Sequence, residues 1–294
     1  MIINSSEELR ALTGSYFANN DFTRIEGVLQ TVEQEIARTI GLASIDALEG
    51  DALLAAQQAT AYMATMRYYR LNDISHENAG RKVKIDKENE ARPFEWQLAR
   101  DDRMHLEEYY RALDRLLYAL AGTELFRESP VWQRQQRLIV KDSGTMAWLT
   151  GVDDSAWLYL RLQPFLAESQ RFVEKAYGEA FNPEDFDTLF PSADTLDYAA
   201  MKAVALGAIA LMGRRTSLQT LPYGLMTIIE SDGGGNRQEQ GTMERIADYL
   251  KQLSRDQHYW LEEMKRLRDA AAGLETATHL QMPENDRHNK YMRL

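Results

Sequence analysis

Apolar residues recur at intervals of three and four along much of the chain, which is the spacing of one face of an α-helix. Two long segments carry such a stripe. The first has Leu106, Tyr109, Leu113, Leu116, Leu117 and Leu120, and the second has Met243, Ile246, Leu250, Leu253, Trp260, Met264 and Leu267. These segments predict two long amphipathic helices. Gly122 and Gly273 follow them, and we expect both to act as C-cap residues.

Two other segments, residues 51–69 and 196–214, are rich in alanine and methionine and apolar almost all round. Helices without a polar face usually lie at the centre of a packed unit. The most apolar stretch of the chain, residues 198–213, is interrupted by Lys202. It is also shorter than the roughly 18–20 residues that a membrane span requires. The pattern therefore predicts a buried helix there.

The two halves of the chain share a pattern. Residues 3–41 align without a gap on residues 140–178, which places Leu12-Thr13-Gly14 on Leu149-Thr150-Gly151 and Gly41 on Gly178. The apolar positions of the two segments also match in type. The apolar helices and the long helices align at slightly larger offsets, so the extra residues fall in connections, where insertions are tolerated best. The sequence therefore predicts two tandem copies of one helical module.

A break with strand character separates the apolar helix from the long helix in each half. The first break, residues 72–93, contains the alternation Val83-Lys84-Ile85, and in the second, residues 225–229 precede Asp232 and three glycines. Each predicts a strand or half-hairpin. The predicted fold class is mainly all-α, with two similar tandem helical-bundle modules and short β-strand or hairpin insertions. The predicted boundaries are module 1 at residues 1–125, a linker at 126–139 with a short helix around 132–139, module 2 at 140–275, and a polar tail at 276–294.

Composition narrows the functional classes. The chain has 294 residues, 44% hydrophobic and 27% charged, which suits about two ordered domains. Its formal net charge of −11 disfavours binding to phosphate backbones, so we expect no sequence-specific nucleic acid partner. The absence of cysteine excludes disulfides, zinc ribbons and thiol nucleophiles. The first residues lack a basic region followed by an apolar run, so we expect a soluble chain without a secretory signal.

Candidate chemistry is sparse. Asp101 and Asp102 precede His105 at helical spacing and could share a metal with it, but ordinary contacts on a solvated helix face explain the pattern better. The same holds for His258 and Glu262, four residues apart. Gly233-Gly234-Gly235-Asn236 lacks the Gly-Lys-Ser/Thr of a phosphate-binding loop and indicates a flexible turn. We therefore predict no catalytic residue, no cofactor-binding residue, no metal ligand, no cofactor and no enzymatic activity.

Two features favour protein–protein contact. The chain has five tryptophans and fourteen tyrosines, and aromatic residues anchor many protein interfaces. Residues 74–91 are polar and charged and lie between two strong helical segments. Loops of that length are uncommon unless they have a function. We therefore interpret residues 74–91 as an arm that reaches a neighbouring subunit, and we expect the polar C-terminal tail to join neighbours as well.

Four sequence features resemble an uncharacterised protein family from prophages of Bacteroides-type bacteria. They are the opening Ile3-Asn4-Ser5-Ser6-Glu7-Glu8-Leu9-Arg10, Phe94-x-Trp96-Gln97, Tyr109-Tyr110-Arg111-Ala112-Leu113-Asp114-Arg115-Leu116-Leu117, and Leu162-x-Pro164 before a helix ending at Tyr177-Gly178. The resemblance implies a component of a virion structural gene cluster, similar to helical head–tail connector (adaptor) proteins that form rings between portal and tail. Such adaptors usually carry one helical module, whereas this chain carries two predicted modules.

Three functional hypotheses follow. The first is a phage or prophage virion structural protein of the head–tail connector type, located in the virion and, during assembly, in the cytoplasm of the bacterial host. Its partners would be further copies of itself and neighbouring virion proteins such as portal or tail components, with no membrane. The second is a non-enzymatic host scaffold or binding module with a ligand groove between the two modules. The third is an enzyme, which clustered carboxylates in a cleft would favour.

Overall fold

The computed structural model describes residues 1–14, 21–72, 75–77, 80–82, 95–186, 189–215, 227–232, 235–240 and 243–274. The chain is mostly helical, so the prediction of a mainly all-α fold is confirmed. The helices in chain order are α1 Ser6–Thr13, α2 Thr23–Ile40, α3 Gly50–Asn72, α4 Glu95–Leu120, α5 Glu124–Arg127, α6 Pro130–Gln135, α7 Ser143–Thr150, α8 Ala156–Tyr177, α9 Leu196–Arg215 and α10 Met243–Ala271. A 3₁₀ turn at Pro183–Asp185 lies between α8 and α9.

Two antiparallel strand pairs lie before the long helices. Strand β1, Ser75–Glu77, pairs with β2, Gly80–Lys82, and strand β3, Thr227–Asp232, pairs with β4, Gly235–Gln240. The predicted alternation at Val83-Lys84-Ile85 lies outside the described residues. In the second break, the described strand begins at Thr227, within the predicted segment 225–229.

Helices α1 and α7 begin and end in the same way. The side chains of Ser5 and Asp142 accept hydrogen bonds from backbone N–H groups three residues later, as N-cap residues do. At the other end, Gly14 and Gly151 adopt left-handed φ angles of 71° and 73°. A side chain would be strained in that conformation, so glycine ends each helix at low cost.

Two expectations about helix ends and the linker are corrected. Gly273 has a left-handed φ of 67°, as a C-cap glycine should, but Gly122 has no positive φ. Instead Thr123 closes the end of α4, since its backbone N–H and its hydroxyl both donate to the Leu120 carbonyl at 2.9 Å. The linker helix occupies Pro130–Gln135 and ends before residues 136–139. There the Ile139 N–H donates to Gln170 Oε1 at 2.9 Å, which replaces a helical hydrogen bond.

The buried apolar side chains form two clusters. The first runs from Ile2 to Val131 along the chain and the second from Leu138 to Met264. Helix α3 crosses the first cluster and α9 the second, and the prediction of a buried helix at residues 198–213 is confirmed. Among the described residues, α9 is the helix that is long and apolar enough to cross a membrane, and 72% of it is buried inside the protein.

The two clusters meet where α8 approaches α4. Ala156, Trp157 and Leu160, from the first turns of α8, pack against the first cluster, while the rest of α8 contributes to the second. Helix α8 therefore connects the two cores, and the surfaces of interest lie along this junction.

Candidate functional site

A cavity of about 240 Å³ opens where α4, α6, α7 and α8 converge. Its apolar wall comes from both cores and includes Leu117, Phe126, Val131, Tyr159 and Leu160. We call this cavity the junction cleft. At about 30 Å³ per water molecule, its volume corresponds to about eight waters, which is the size of a small organic group.

Polar side chains line the other wall of the junction cleft. The Tyr118 hydroxyl donates to Asp154 Oδ1 at 2.6 Å and lies 3.2 Å from the Ser143 hydroxyl. Tyr118 is 47% exposed as a whole residue. Partial burial is the main cause that raises its pKa to about 12, and the hydrogen bond to Asp154 is a smaller cause. The hydroxyl therefore stays protonated at neutral pH and continues to donate to Asp154.

The two carboxylates of the junction cleft differ in what they bind. Asp142 uses both oxygens on Thr145, accepting from its backbone N–H at 2.8 Å and its hydroxyl at 2.7 Å. Asp142 is therefore the N-cap residue of α7. Asp154 Oδ1 accepts from Tyr118, whereas its Oδ2 has no hydrogen bond to a described residue. Asp154 is thus the carboxylate that can bind a ligand in the cleft.

Gln163 is the buried polar group of the junction cleft. Only 6% of Gln163 is exposed, and its Nε2 lies 3.5 Å from Gln135 Oε1, at the outer limit of a hydrogen bond. Its Oε1 has no partner among the described residues. Since Gln163 Oε1 is not one of the fully buried atoms without a partner, it is open to the cleft and can accept a hydrogen bond from a water or a ligand.

A third carboxylate, Asp114 of α4, lies outside the cleft lining and links α4 to the start of α8. Its Oδ1 accepts from the Ser155 hydroxyl at 2.9 Å and from the Trp157 backbone N–H at 2.8 Å. Both donors lie at the N-terminus of α8, where a negative charge is favourable. Burial nevertheless dominates and raises the pKa of Asp114.

We expect Asp114→Asn to remove a pH dependence of stability. A carboxyl whose pKa is raised by folding binds a proton more readily in the native state, so its contribution falls as pH rises from its ordinary pKa through its raised pKa. The free energy of unfolding of the wild type, minus that of Asp114→Asn, should therefore decrease across this window. Urea unfolding at a series of pH values measures the difference. A difference that increases with pH would contradict the assignment.

An exposed aromatic pair lies beside the junction cleft. Trp148 of α7 is 58% exposed, Phe190 is 53% exposed, and their rings meet edge to face with centroids 6.1 Å apart. The edge of the Phe190 ring lies next to Gly144, where an added Cβ would be 3.6 Å from its Cζ. Since Gly144 also lines the cleft, the pair and the cleft form one continuous surface.

Phe190 has an unfavourable backbone conformation. Its φ of 54° is the one positive φ of a non-glycine residue in the described part of the chain. For a bulky L-residue, the left-handed region costs about 1–2 kcal/mol. An exposed ring gains little from burial to offset that cost, and such strain is concentrated at functional positions.

The segments that form this surface are acidic. Residues 142–160 and 176–201 contain nine aspartates and glutamates and no lysine or arginine. Asp153 and Asp154 are both exposed in the loop that follows α7. We call Trp148, Phe190, Asp153 and Asp154 the aromatic–acidic face.

No protein-family model matches the chain, and no curated protein or solved structure matches it significantly.

The histidine cluster of the sequence does not converge on a metal. His105 is 6% exposed, and its Nδ1 lies 3.0 Å from the Asp101 carbonyl oxygen. Asp102 turns away and accepts from Arg70 Nε at 2.8 Å. Within the described ranges, no group of three or more His, Asp or Glu side chains is placed to hold a metal ion.

The remaining sequence candidates lie elsewhere. Glu262 accepts from Lys265 Nζ at 2.7 Å, which lowers the pKa of Glu262, with His258 as a lesser cause. Gly233 and Gly234 lie outside the described residues, and Gly235 and Asn236 begin β4. Of the proposed arm, the structure describes β1 and β2, and the other residues of 74–91 lie outside it, as does the tail from residue 275 onward.

Sequence reasoning did not single out the residues of this site. Tyr118, Asp154 and Gln163 come from three different segments, and nothing in their local pattern marks them. Trp148 is one of five tryptophans, and its neighbours in the sequence do not distinguish it from the others. The available signal was the run of acidic residues without lysine or arginine around Phe190, in residues 176–201, where a surface loop normally mixes charges.

The geometry favours binding over acid–base chemistry. Two carboxylates line the cleft, but Asp142 caps α7 and the Tyr118 hydroxyl stays protonated at neutral pH. General acid–base catalysis needs groups poised to exchange protons near neutral pH. A ligand or a partner side chain, by contrast, needs a shaped cavity with a few convergent polar groups, which the junction cleft provides.

Proposed function

We propose that this chain is a virion assembly protein of phage or prophage origin, of the head–tail connector type, acting through protein–protein contacts and without enzymatic activity. The proposal rests on the pair Trp148 and Phe190. Both rings are exposed, and Phe190 also has a backbone conformation that costs free energy. Partly exposed aromatic rings of this kind are the residues that dominate protein interfaces.

A second copy of this chain is the proposed occupant of the aromatic–acidic face. The face is acidic, so its partner must supply positive charge. Arg134 of α6 and Arg137, which lies just after that helix, are both exposed, and neither forms an ion pair with a described carboxylate. Because each copy carries both an acidic face and this basic pair, copies can join through unlike patches and close into a symmetric assembly.

The tandem-module organisation is part of the proposal. Two hydrophobic clusters, two N-capped eight-residue helices ending in left-handed glycines, and a strand pair before each long helix support it. The arm at residues 74–91 and the tail at 276–294 are proposed as further contacts with neighbours. Portal or tail components are the other proposed partners, and the virion and the host cytoplasm during assembly are the proposed locations.

Charge reversal tests the proposal. We expect Arg134→Glu to weaken self-association about tenfold, because it places a carboxylate opposite an acidic face. Adding Asp153→Lys to this variant should restore most of the affinity. Sedimentation equilibrium over a range of protein concentrations measures the association constant of each variant.

Arg255→Glu is the matched control for this experiment. Arg255 is exposed on α10 and its reversal changes the net charge by the same amount. Its association constant should stay close to that of the wild type. A wild-type chain that remains monomeric at all concentrations, or equal effects of the two reversals, would overturn the assembly proposal.

A second candidate function is favoured by the junction cleft. The sequence suggested a binding module with a groove between two helical units, and a cavity of about 240 Å³ does lie where the two cores meet. Aromatic and aliphatic walls with a few polar groups are typical of small-molecule sites. This candidate is a binding protein without catalytic residues.

A further inference from the structure

The junction cleft combines three features that together specify a ligand. One wall is apolar, from Leu117, Val131 and Leu160. The opposite wall offers one unoccupied carboxylate oxygen, Asp154 Oδ2, and the hydroxyls of Tyr118 and Ser143 are already bonded to each other or to Asp154. Gln163 is buried more deeply than these groups, and its Oε1 has no hydrogen-bond partner among the described residues.

The two side-chain oxygens of the cleft that have no hydrogen bond to a described residue, Asp154 Oδ2 and Gln163 Oε1, are acceptors. The Asp154 carboxylate and the Gln163 carbonyl oxygen both require donors. No lysine or arginine side chain lines the cavity. The complementary ligand therefore carries several N–H donors and a positive charge, attached to a short apolar body that fits against the aliphatic wall.

We propose that the junction cleft binds a small organic cation, an alkylammonium or alkylguanidinium group, with Asp154 as its counter-charge and Gln163 as a second acceptor. This inference rests on the second candidate function, the binding module, and names its ligand class. Charge-assisted hydrogen bonds to a carboxylate are about twice as strong as neutral ones, so Asp154 should supply most of the selectivity. Positive charge should therefore decide which ligands bind.

A second cavity of the described residues is a poorer candidate. It has a volume of about 340 Å³ and lies beside Glu33 and Asp46. Its carboxylates are already used, since Glu33 Oε1 accepts from the Ile2 N–H at 2.9 Å and Asp46 accepts from Ser44 and from the Met1 amino group. The junction cleft, in contrast, retains unsatisfied acceptors.

Three probes of equal length test the inference on the full chain. They are n-butylammonium, butyramide and butyrate, added at matched ionic strength and followed by NMR chemical-shift changes of the Leu117 and Val131 methyl groups. We expect saturable binding of butylammonium with a dissociation constant of about 1 mM, as suits a ligand of this size. Butyramide should bind at least about tenfold more weakly, and butyrate should not bind.

Two neighbouring aspartates provide a matched pair of variants. Asp154→Asn keeps the shape and removes the charge, and we expect it to weaken butylammonium binding at least about tenfold. Asp153→Asn makes the same charge change one residue away, outside the cavity lining, and should change the affinity less than about twofold. Gln163→Met should also weaken binding, because it replaces an acceptor with a group of similar length.

The outcomes separate this inference from the function on which it rests. Equal binding of butylammonium and butyramide, or unchanged affinity in Asp154→Asn, would overturn the cation assignment and leave a binding module of other specificity. Failure of all three probes to bind would overturn both. Neither result bears on self-association, which is measured without any probe.

Discussion

Replacing Gly207 with alanine is expected to lower the free energy of unfolding by about 2 kcal/mol, the typical cost of overpacking a well-filled core. Gly207 lies in α9 where α8 and α10 both approach it. An added methyl group would lie closer than 3.0 Å to Ser169 Oγ and Gln257 Nε2. These two side chains are 3.4 Å apart and bridge α8 and α10 across the glycine. The methyl group would therefore displace the bridge and separate the helices.

Gly27→Ala provides a control of opposite sign. Gly27 is also inside a helix, α2, but nothing lies within 4 Å of a Cβ added there. Alanine is a better helix former than glycine by about 1 kcal/mol, so this variant should be more stable than the wild type. Chemical denaturation of both variants measures the difference. Stabilisation by Gly207→Ala would mean that α8, α9 and α10 do not pack as described.

Replacing Trp148 with alanine is expected to weaken self-association about 30-fold, the effect of removing a central aromatic anchor worth about 2 kcal/mol. Folding should be affected little, because Trp148 is 58% exposed. The association constant from sedimentation equilibrium and the free energy of unfolding from urea titration together separate the two effects. Phe172→Ala is the control, since Phe172 is 52% exposed on α8 and should not change association.

Phe190→Gly tests the same interface with a second substitution. Glycine accepts the left-handed φ of 54° without strain, so relief of about 1–2 kcal/mol should offset the lost ring contacts and the greater freedom of the unfolded chain. The free energy of unfolding should then stay within about 1 kcal/mol of the wild type while association weakens. Full self-association in both Trp148→Ala and Phe190→Gly would exclude the aromatic–acidic face as the interface.

Helices were predictable from local patterns for two reasons. Each helix forms its backbone hydrogen bonds within its own segment, and the spacing of its apolar residues marks the face that is buried. Leu113, Leu116 and Leu120 are buried as their three- and four-residue spacing predicts. Asp142 and Gly151 limit α7 through local hydrogen bonds and a left-handed φ. The expected C-cap role of Gly122 was wrong because a nearby threonine, Thr123, closes the helix instead.

The sequence by itself thus determined the helical class, the two all-apolar helices, most helix limits and the acidity of the chain. The absence of enzymatic activity and the roles of the arm and the tail as contacts with neighbours remain predictions. Only the tertiary structure decided where the surfaces of interest lie. Tyr118, Asp154 and Gln163 meet because α8 packs against α4, and Phe190 meets Trp148 across a separation of 42 residues. Such contacts depend on how helices pack, and helical spacing specifies which face is buried without specifying its neighbour.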